Sequence, residues 1–309
     1  MADLTEADKM SLRVLGVPSA AGAYGNGVAL APAALRETGL LEALRDRGVS
    51  VTDADDLPFV PFAPDPANPR KQNVGTVVEV AREVAAQVAA ISAVGDIPLV
   101  LGGNCTLTLG VIAGLCAARP DLALAYFDGD ADMSTPERTV SGVMDAMGIA
   151  TMLGLEGAAQ ELAGIGPWVP LMEGRRIAIV GYDDAELAAE PRAQLVECGV
   201  HLMPGGSVRG GGSAVATDAL TALADRDDLI VHFDVDVVDS TDLPLGQFPH
   251  FNQGVSLDDA IEVLAELSAA PDVLAILITE INPDNDPDGV HVQRLSDGLA
   301  DALGRAMGR

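Results

Sequence analysis

An α/β fold in three layers, with helices on both faces of a mostly parallel sheet of about eight strands, is predicted by two patterns in this 309-residue chain. Short β-branched runs alternate with longer Ala- and Leu-rich segments of helical period. Strands that are apolar without interruption are typical of a parallel sheet that helices cover on both faces. No linker or shift in composition divides the sequence, so we predict a single domain over residues 1–309.

Each element of this fold follows from the local pattern. The short apolar runs predict strands at residues 12–16, 49–52, 97–101, 122–127, 176–181, 200–203, 229–233 and 273–279. The longer segments repeat apolar residues at helical spacing, which predicts helices. These helices lie near residues 32–47, 76–92, 106–118, 142–155, 188–198, 214–224, 256–269 and 292–307.

The composition argues against several classes of protein. Asp and Glu number 46 against 18 Lys and Arg, and the formal net charge is −28. We therefore expect neither nucleic acid nor an anionic membrane as a partner, because both are bound through basic residues. No apolar run approaches the length of a membrane span, and the first eleven residues carry no apolar signal-peptide core. Three scattered cysteines do not form a disulfide framework, so we expect a cytoplasmic location.

Acidic clusters follow two of the predicted strands. Asp128, Asp130 and Asp132 come after the fourth strand, and Asp234 and Asp236 come after the seventh. Ligands of α/β sheets bind at the carboxyl ends of strands, and alternate residues of extended backbone point to one side, so these carboxylates are expected to converge. Converging carboxylates repel one another unless a cation lies between them, and oxygen ligands favour Mn²⁺, Mg²⁺ or Ca²⁺. The alternative is that they are scattered surface acids in an acidic chain.

A family resemblance rests on five motifs that occur in a characteristic order. They are GGNCT at 102–106, DGDAD at 128–132, SGVMD at 141–145, HFDVDVVD at 232–239 and EINP at 280–283. The chain resembles the ureohydrolase superfamily of arginase, agmatinase and formimidoylglutamase over nearly its whole length. In that family the corresponding motifs include GGDHS, DAHxD, SxDxDxxDP and ExNP. The resemblance implies an arginase-like fold.

The resemblance also implies a metal centre. The family binds two Mn²⁺ ions bridged by a hydroxide, which attacks a guanidinium carbon and releases urea and an amine. By position, one ion would be held by Cys105, Asp128, Asp132 and Asp234, and the other by Asp128, Asp130, Asp234 and Asp236. Glu280 would accept hydrogen bonds from the guanidinium group, and Ser134 and Ser141 occupy positions of the substrate loops.

Several positions depart from the family pattern. Cys105 and Asp130 replace the two metal-binding histidines, and Asp145 replaces the histidine of the catalytic loop as candidate proton carrier. Val143 replaces an asparagine that holds the amino-acid end of the substrate in arginase, which argues against arginine itself. Five carboxylates and a thiolate exceed the charge of two divalent ions. Three alternatives follow: one hard ion beside a protonated Cys105, two ions of which one is softer, or a chain that is not catalytic.

Two histidines offer compensation for those that are missing. His232 lies two residues before Asp234, on the same strand face, where the family has a serine. We expect it to pair with Asp130, and so hold that ligand in place, or to bind the metal itself; the alternative is a core histidine bonded to backbone. His250 follows the second acidic cluster and is a candidate substrate contact or proton shuttle, or else a solvated loop residue.

The sequence therefore predicts a metal-dependent hydrolase of a non-peptide C–N bond in a guanidino or amidino compound. One or two Mn²⁺ ions, or another divalent metal, are the expected cofactor. The alternative is a non-catalytic member of the family that serves as a small-molecule binder or an oligomer subunit. A third reading, catalysis by a Cys105 nucleophile, needs a nearby base, and no histidine is close in the sequence. Family members form trimers or hexamers, so the resemblance implies a homo-oligomer.

Overall fold

The computed structural model describes residues 11–308, and these residues confirm the predicted fold class. All eight predicted strands are present, with ends within four residues of those expected. They are β1 (Ser11–Val17), β2 (Ser50–Asp56), β3 (Ile97–Gly102), β4 (Leu122–Phe127), β5 (Ile177–Val180), β6 (His201–Met203), β7 (Asp228–Asp234) and β8 (Val273–Thr279). They form one sheet in the order β2-β1-β3-β8-β7-β4-β5-β6, and every neighbouring pair is parallel.

Helices cover both faces of the sheet. They are α1 (Ala31–Glu37), α2 (Leu40–Asp46), α3 (Val74–Ala93), α4 (Leu107–Leu115), α5 (Gly148–Met152), α6 (Gln160–Ala163), α7 (Ala189–Cys198), α8 (Gly205–Val208), α9 (Gly212–Ala222), α10 (Leu257–Ser268) and α11 (Val290–Met307). Among residues 11–308, none of these helices combines the length and apolar character that crossing a bilayer requires.

Two of the predicted helices are wrong in extent. The helix expected at 32–47 is divided into α1 and α2, because Gly39 between them has a φ of +79°, which no helical residue adopts. The helix expected at 142–155 shrinks to the five residues of α5, which follow a 3₁₀ turn at Asp145–Met147. The residues ahead of it instead form the loop that carries Asp145 towards the sheet.

The core is split by the sheet into two apolar clusters. Successive residues of β3 enter opposite clusters: Leu99 and Leu101 lie in one, and Val100 lies in the other. The first cluster contains side chains of α1, α2, α9, α10 and α11, and the second contains side chains of α3, α4, α5 and α7. This is the expected three-layer arrangement, in which a parallel sheet is buried on both faces.

The middle of the sheet positions the acidic motifs. The neighbouring strands β3, β8, β7 and β4 are each followed by one of the motifs found in the sequence. Because all four strands run in the same direction, their carboxyl ends meet at one edge of the sheet. Residues that are far apart in sequence are thereby brought together.

Candidate metal centre

Four side chains from three of these strands form what we call the inner cluster: Cys105, Asp128, His232 and Asp234. One donor atom from each lies within 4.8 Å of the others, and all four residues are buried. The Cys105 Sγ atom lies 2.6 Å from Asp234 Oδ2, 3.5 Å from His232 Nε2 and 3.7 Å from Asp128 Oδ2. His232 Nε2 also lies 3.6 Å from Asp128 Oδ2. The cluster therefore places one sulfur, one nitrogen and two oxygen donors close to one another.

The imidazole of His232 is held in a fixed orientation. Its Nδ1 atom lies 2.8 Å from Thr108 Oγ1, and its ring stacks on Tyr126 with centroids 4.2 Å apart and planes 8° from parallel. Tyr126 is the residue opposite His232 in the pairing of β4 with β7. Burial lowers the pKa of His232, which favours the neutral ring and leaves a lone pair available. When Nδ1 donates to Thr108, that lone pair is on Nε2 and faces the inner cluster.

A second group, the outer cluster, consists of Asp130, Asp236 and His250. Their donor atoms also lie within 4.8 Å of one another, and His250 Nε2 is 3.7 Å from Asp130 Oδ2. Burial acts to lower the pKa of His250, but the carboxylate of Asp130 outweighs it and raises that pKa to about 9. Gly129 provides the space for this ring, since a Cβ atom there would lie 2.9 Å from it.

The structure corrects one expectation about His232. Asp130 does not pair with this residue, because the imidazole beside Asp130 is that of His250. His232 instead contacts the inner cluster, consistent with the alternative that it supplies a ligand. This chain lacks the two histidines of the family motifs, and two other histidines, His232 and His250, lie one in each cluster.

Asp145 and Glu280 lie on the other side of Cys105. The three residues have donor atoms within 4.8 Å of one another. Asp145 Oδ1 accepts a hydrogen bond of 2.6 Å from the Cys105 N–H, and burial raises the pKa of Asp145 to about 7. Glu280 is 1% exposed, and neither of its carboxylate oxygens has a hydrogen-bond partner. Its φ of +61° is strained for a glutamate, so the surrounding structure forces this side chain into the site.

Asp132 lies apart from both clusters. Its Oδ2 atom accepts a hydrogen bond of 2.5 Å from the Tyr126 hydroxyl, and its φ is +46°. Burial raises the pKa of Asp132 well above its usual range. The carboxylate is thus engaged with the same tyrosine ring on which His232 stacks.

The site has a large excess of negative charge. It holds seven carboxyl groups: Asp128, Asp130, Asp132, Asp145, Asp234, Asp236 and Glu280. Within residues 11–308, no Lys or Arg forms an ion pair with any of these seven groups. Every such ion pair involves an acid outside the site. Burial accordingly raises the pKa of Asp234, Asp236 and Glu280 well above their usual ranges.

The residues present fit a divalent cation. Two sets of converging donors meet the requirement for ligands, and the cation would neutralise carboxylates that have no basic partner. Burial also raises the pKa of the Cys105 thiol well above its usual value, so this group is protonated in the metal-free chain. A nearby cation would favour the thiolate.

A cavity of about 310 Å³ adjoins the outer cluster. Its lining includes Asp130, Asp132, Ser134, Arg138, Asp183 and Glu186. Arg138 is paired with Glu190, so the wall is predominantly negative. Of the two predicted substrate-loop serines, Ser134 lines this cavity, whereas the Ser141 hydroxyl accepts from the Val143 N–H within its own loop.

Sequence reasoning missed the residues that support the clusters. Thr108 and Thr279 both contact His232, and Thr279 Oγ1 is 3.5 Å from the Cys105 sulfur. Thr279 is the one polar residue of the apolar strand β8, which could have identified it. Asp183 and Glu186 have donor atoms near His250, but the sequence around them shows no motif.

The fold and the site define a class of α/β protein that gathers candidate metal ligands at the carboxyl edge of a parallel sheet. The family model described as Arginase family matches residues 10–303, so the chain belongs to that family. This confirms the predicted superfamily and, with it, the hydrolase class.

The relatives are distant but cover most of the chain. Arginase-1 from Homo sapiens is 28% identical over 281 residues, which span 90% of this chain and 86% of that protein. The structure of arginase from Bacillus caldovelox superposes with a TM-score of 0.86 at 24% identity, covering 97% of this chain and 99% of that one. Formiminoglutamase from Trypanosoma cruzi, determined with Mn²⁺, gives a TM-score of 0.73 at 20% identity, with 99% and 96% covered. At these identities the two structures establish the fold alone.

Proposed function

We propose that this chain is a metal-dependent hydrolase of a non-peptide C–N bond in a guanidino or amidino compound. The observation that carries this proposal is the position of Glu280 beside two clusters of metal donors. No N–H or hydroxyl group of residues 11–308 donates to this buried carboxylate, and the neighbouring Asp145 is itself an acid. A cationic group of a substrate would supply such a donor. Membership of the arginase family supports the same reaction class.

The proposed metal ligands come from both clusters. They are Cys105, Asp128, His232 and Asp234 in the inner cluster and Asp130, Asp236 and His250 in the outer one. Asp132, which is bonded to Tyr126, is not among them. Divalent ions bound there would lower the pKa of a water ligand, so that a hydroxide nucleophile is available near neutral pH. Each cluster contains one histidine, His232 or His250, in place of a missing family histidine. This supports a catalytic metal centre over a non-catalytic one.

Glu280 is proposed to orient the substrate. Its oxygens are buried, and a planar guanidinium or amidinium group donates two parallel N–H bonds to a carboxylate. The positive φ of Glu280 is consistent with this role, because strain of this kind is retained where the structure needs a side chain in one place.

Asp145 is proposed to carry a proton. Its Oδ1 atom accepts from the Cys105 N–H, which leaves Oδ2 to hold the proton. With a pKa raised by burial to about 7, this carboxyl group can both gain and lose a proton near neutral pH. We propose that it delivers this proton to the departing amine.

The cavity wall favours a cationic substrate without a carboxylate. Asp183 and Glu186 add negative charge beyond the clusters, and Arg138 is already paired. Val143, where arginase has its asparagine, is buried and offers no polar group to an amino-acid end. Ser134 is the proposed neutral contact of the substrate, and we propose that Ser141 shapes the loop beside it.

Metal analysis and a substrate panel test the proposal. Protein purified without chelator should contain divalent metal, which Asp234→Asn should lose and the surface control Asp288→Asn should retain. Agmatine should be hydrolysed faster than arginine, and arginine faster than 4-guanidinobutyrate, because repulsion from the wall increases in that order. No metal uptake after Mn²⁺ and Zn²⁺ are supplied, or no turnover of any amidino or guanidino compound, would overturn the proposal.

Four further properties are proposed from the family resemblance and the sequence. They are Mn²⁺ as an occupant of the centre, a homo-oligomer of three or six chains, a cytoplasmic location, and a single domain over the whole chain. Elemental analysis checks the first, sedimentation the second, fractionation of cells the third, and a single cooperative unfolding transition the fourth.

A further inference from the structure

We propose that the inner cluster is a thiolate–imidazole site that binds Zn²⁺ or Co²⁺ in preference to Mn²⁺. The proposal deepens the proposed function, on whose metal dependence it rests. It assigns to His232 the role of a direct ligand and predicts that the two clusters differ in the metal they select.

The separations of the donor atoms match four-coordinate binding. With metal–sulfur distances of about 2.3 Å and metal–nitrogen or –oxygen distances of about 2.0 Å, tetrahedral ligands lie about 3.3 to 3.5 Å apart. The cluster has separations of 3.5, 3.6 and 3.7 Å among Cys105 Sγ, His232 Nε2 and Asp128 Oδ2. Asp234 Oδ2, at 2.6 Å from the sulfur, must move outward.

The chemistry of the donors selects the metal. Thiolate and imidazole ligands suit borderline ions such as Zn²⁺ and Co²⁺, whereas Mn²⁺ favours oxygen. The outer cluster, with two carboxylates and one imidazole, lacks sulfur altogether. The two clusters therefore differ by the one donor that most strongly distinguishes these metals.

His232 is prepared for ligation before any metal binds. Thr108 holds Nδ1, Tyr126 stacks on one face of the ring, and Nε2 is directed at the other donors. A histidine ligand commonly has its second nitrogen fixed in this way. The unpartnered oxygens of Glu280, close to Cys105, are an independent sign that this part of the site is built for a ligand.

One divalent ion offsets most of the negative charge of the inner cluster. On binding, the S–H bond of Cys105 breaks, a sulfur–metal bond forms, and the proton passes to water. The thiolate, Asp128 and Asp234 then carry three negative charges against two positive ones. With Asp128 and Asp234 ionised, the thiol protonated and no cation, the cluster would carry −2, so one bound ion reduces the net charge to −1 even after the thiolate has formed.

Cobalt spectroscopy of the full-length chain tests the site. Chelator-treated protein titrated with Co²⁺ should develop a sulfur-to-cobalt charge-transfer band in the near ultraviolet, with the intense visible bands of four-coordinate Co²⁺. Zn²⁺ should abolish these bands, and Mn²⁺ at the same concentration should not. Co²⁺ binding without the sulfur band, or equal displacement by Mn²⁺, would overturn the proposal.

Variants separate ligands from supporting residues. Cys105→Ser should lose the sulfur band, and the control Cys198→Ser should keep it. His232→Gln should weaken Co²⁺ binding more than the roughly 10- to 100-fold typical of a residue that only supports a ligand, whereas Thr108→Val should fall within that range. His201→Gln is the matched control. If Cys105→Ser does not fold, the Co²⁺ titrations of Thr108→Val and His232→Gln still test whether His232 is a ligand. Equal losses of Co²⁺ affinity in these two variants would contradict ligation by His232.

The outcome is independent of turnover. A sulfur band without hydrolysis of any guanidino or amidino compound would support the site and overturn the proposed function. Hydrolysis with Mn²⁺ but no sulfur band with Co²⁺ would support the function and overturn the metal selectivity.

Discussion

His250 and Asp130 face each other across the outer cluster, with Nε2 of the histidine 3.7 Å from Oδ2 of the aspartate. They come from loops that follow different strands, β7 and β4. Asp130 stands where the family motif has a metal-binding histidine, and the loop after β7 returns an imidazole to the same place. Gly129 leaves room for the His250 ring beside Asp130, since a Cβ there would lie 2.9 Å from that ring.

Gly129→Ala should disturb the outer cluster through His250. The added Cβ would lie 2.9 Å from the His250 ring, closer than real contacts allow, so the ring must move away from Asp130. We expect metal affinity at the outer cluster to fall by about 10- to 100-fold, as when a residue that positions a ligand is lost. In a His250→Ala background the same substitution should have little further effect, which a double-mutant cycle measures. Additive effects would show that the two residues act independently.

Asp132 and Asp128 should differ in their importance for metal binding. Asp128 belongs to the inner cluster, whereas the Asp132 carboxylate is bonded to Tyr126. Calorimetric titration should show that Asp128→Asn weakens Zn²⁺ binding by more than about 100-fold and Asp132→Asn by about 10-fold or less, below the loss expected for a ligand. Equal losses would mean that Asp132 turns from Tyr126 to the metal.

Glu280→Gln should reduce turnover and leave metal content unchanged. The amide keeps the shape of the side chain but removes the charge that faces a cationic substrate. Loss of one preorganised electrostatic contact to the reacting group lowers kcat by about 10²- to 10³-fold. The exposed Glu266→Gln is the matched control. Unchanged kcat with intact metal would remove Glu280 from the proposed mechanism.

Removal of metal should destabilise the protein more at high pH. Burial raises the pKa of Asp145 to about 7 and that of Glu280 well above its usual range. The metal-free fold is therefore most stable at low pH, where these groups are protonated, and loses stability as pH rises from about 4 through the folded pKa. A bound cation favours the ionised forms and offsets this loss. Chelation should lower Tm more at about pH 8 than at about pH 5; an equal shift would contradict the assignment.

Gly103→Ala should destabilise the fold by overpacking the backbone next to the inner cluster. A Cβ at residue 103 would lie 1.8 Å from the backbone oxygen of Ser19, so β3 or its neighbour must shift. Overpacking of this kind costs about 1–3 kcal/mol in unfolding free energy. Gly75→Ala, where nothing lies within 4 Å, should instead stabilise the chain by up to about 1 kcal/mol. Denaturant unfolding of both variants measures the contrast.

The strands β3, β4, β5 and β8 could be predicted because each is apolar for nearly its whole length. The edge strand β2, which contains three aspartates, extends four residues beyond its predicted end. The residues that follow the strands could be placed at one edge because parallel strands share a direction. The division between α1 and α2 at Gly39 was missed, since a glycine within a helical pattern is often tolerated.

The partners of the two histidines were harder to predict. His232 was placed on the correct strand face, but its neighbour depends on the rotamer that Thr108 and Tyr126 impose. His250 depends on how the loop after β7 folds over Gly129, a tertiary contact with no local pattern. Gly129 itself, at a position where the family motif has alanine, was the one sequence feature that could have indicated the position of His250.

The pairing of β3 with β8 has a consequence for how the protein is made. Cys105 and Thr279 contact each other although they are 174 positions apart. Because β8 lies between β3 and β7 in the sheet, the inner cluster cannot assemble before this last strand has been synthesised. At about 5–20 residues per second, the ribosome takes roughly 9 to 35 s to add that stretch. During this interval the thiol that is later buried is open to cellular oxidants and to whichever metal is abundant. We therefore expect the ion proposed for the inner cluster to bind after the chain is complete.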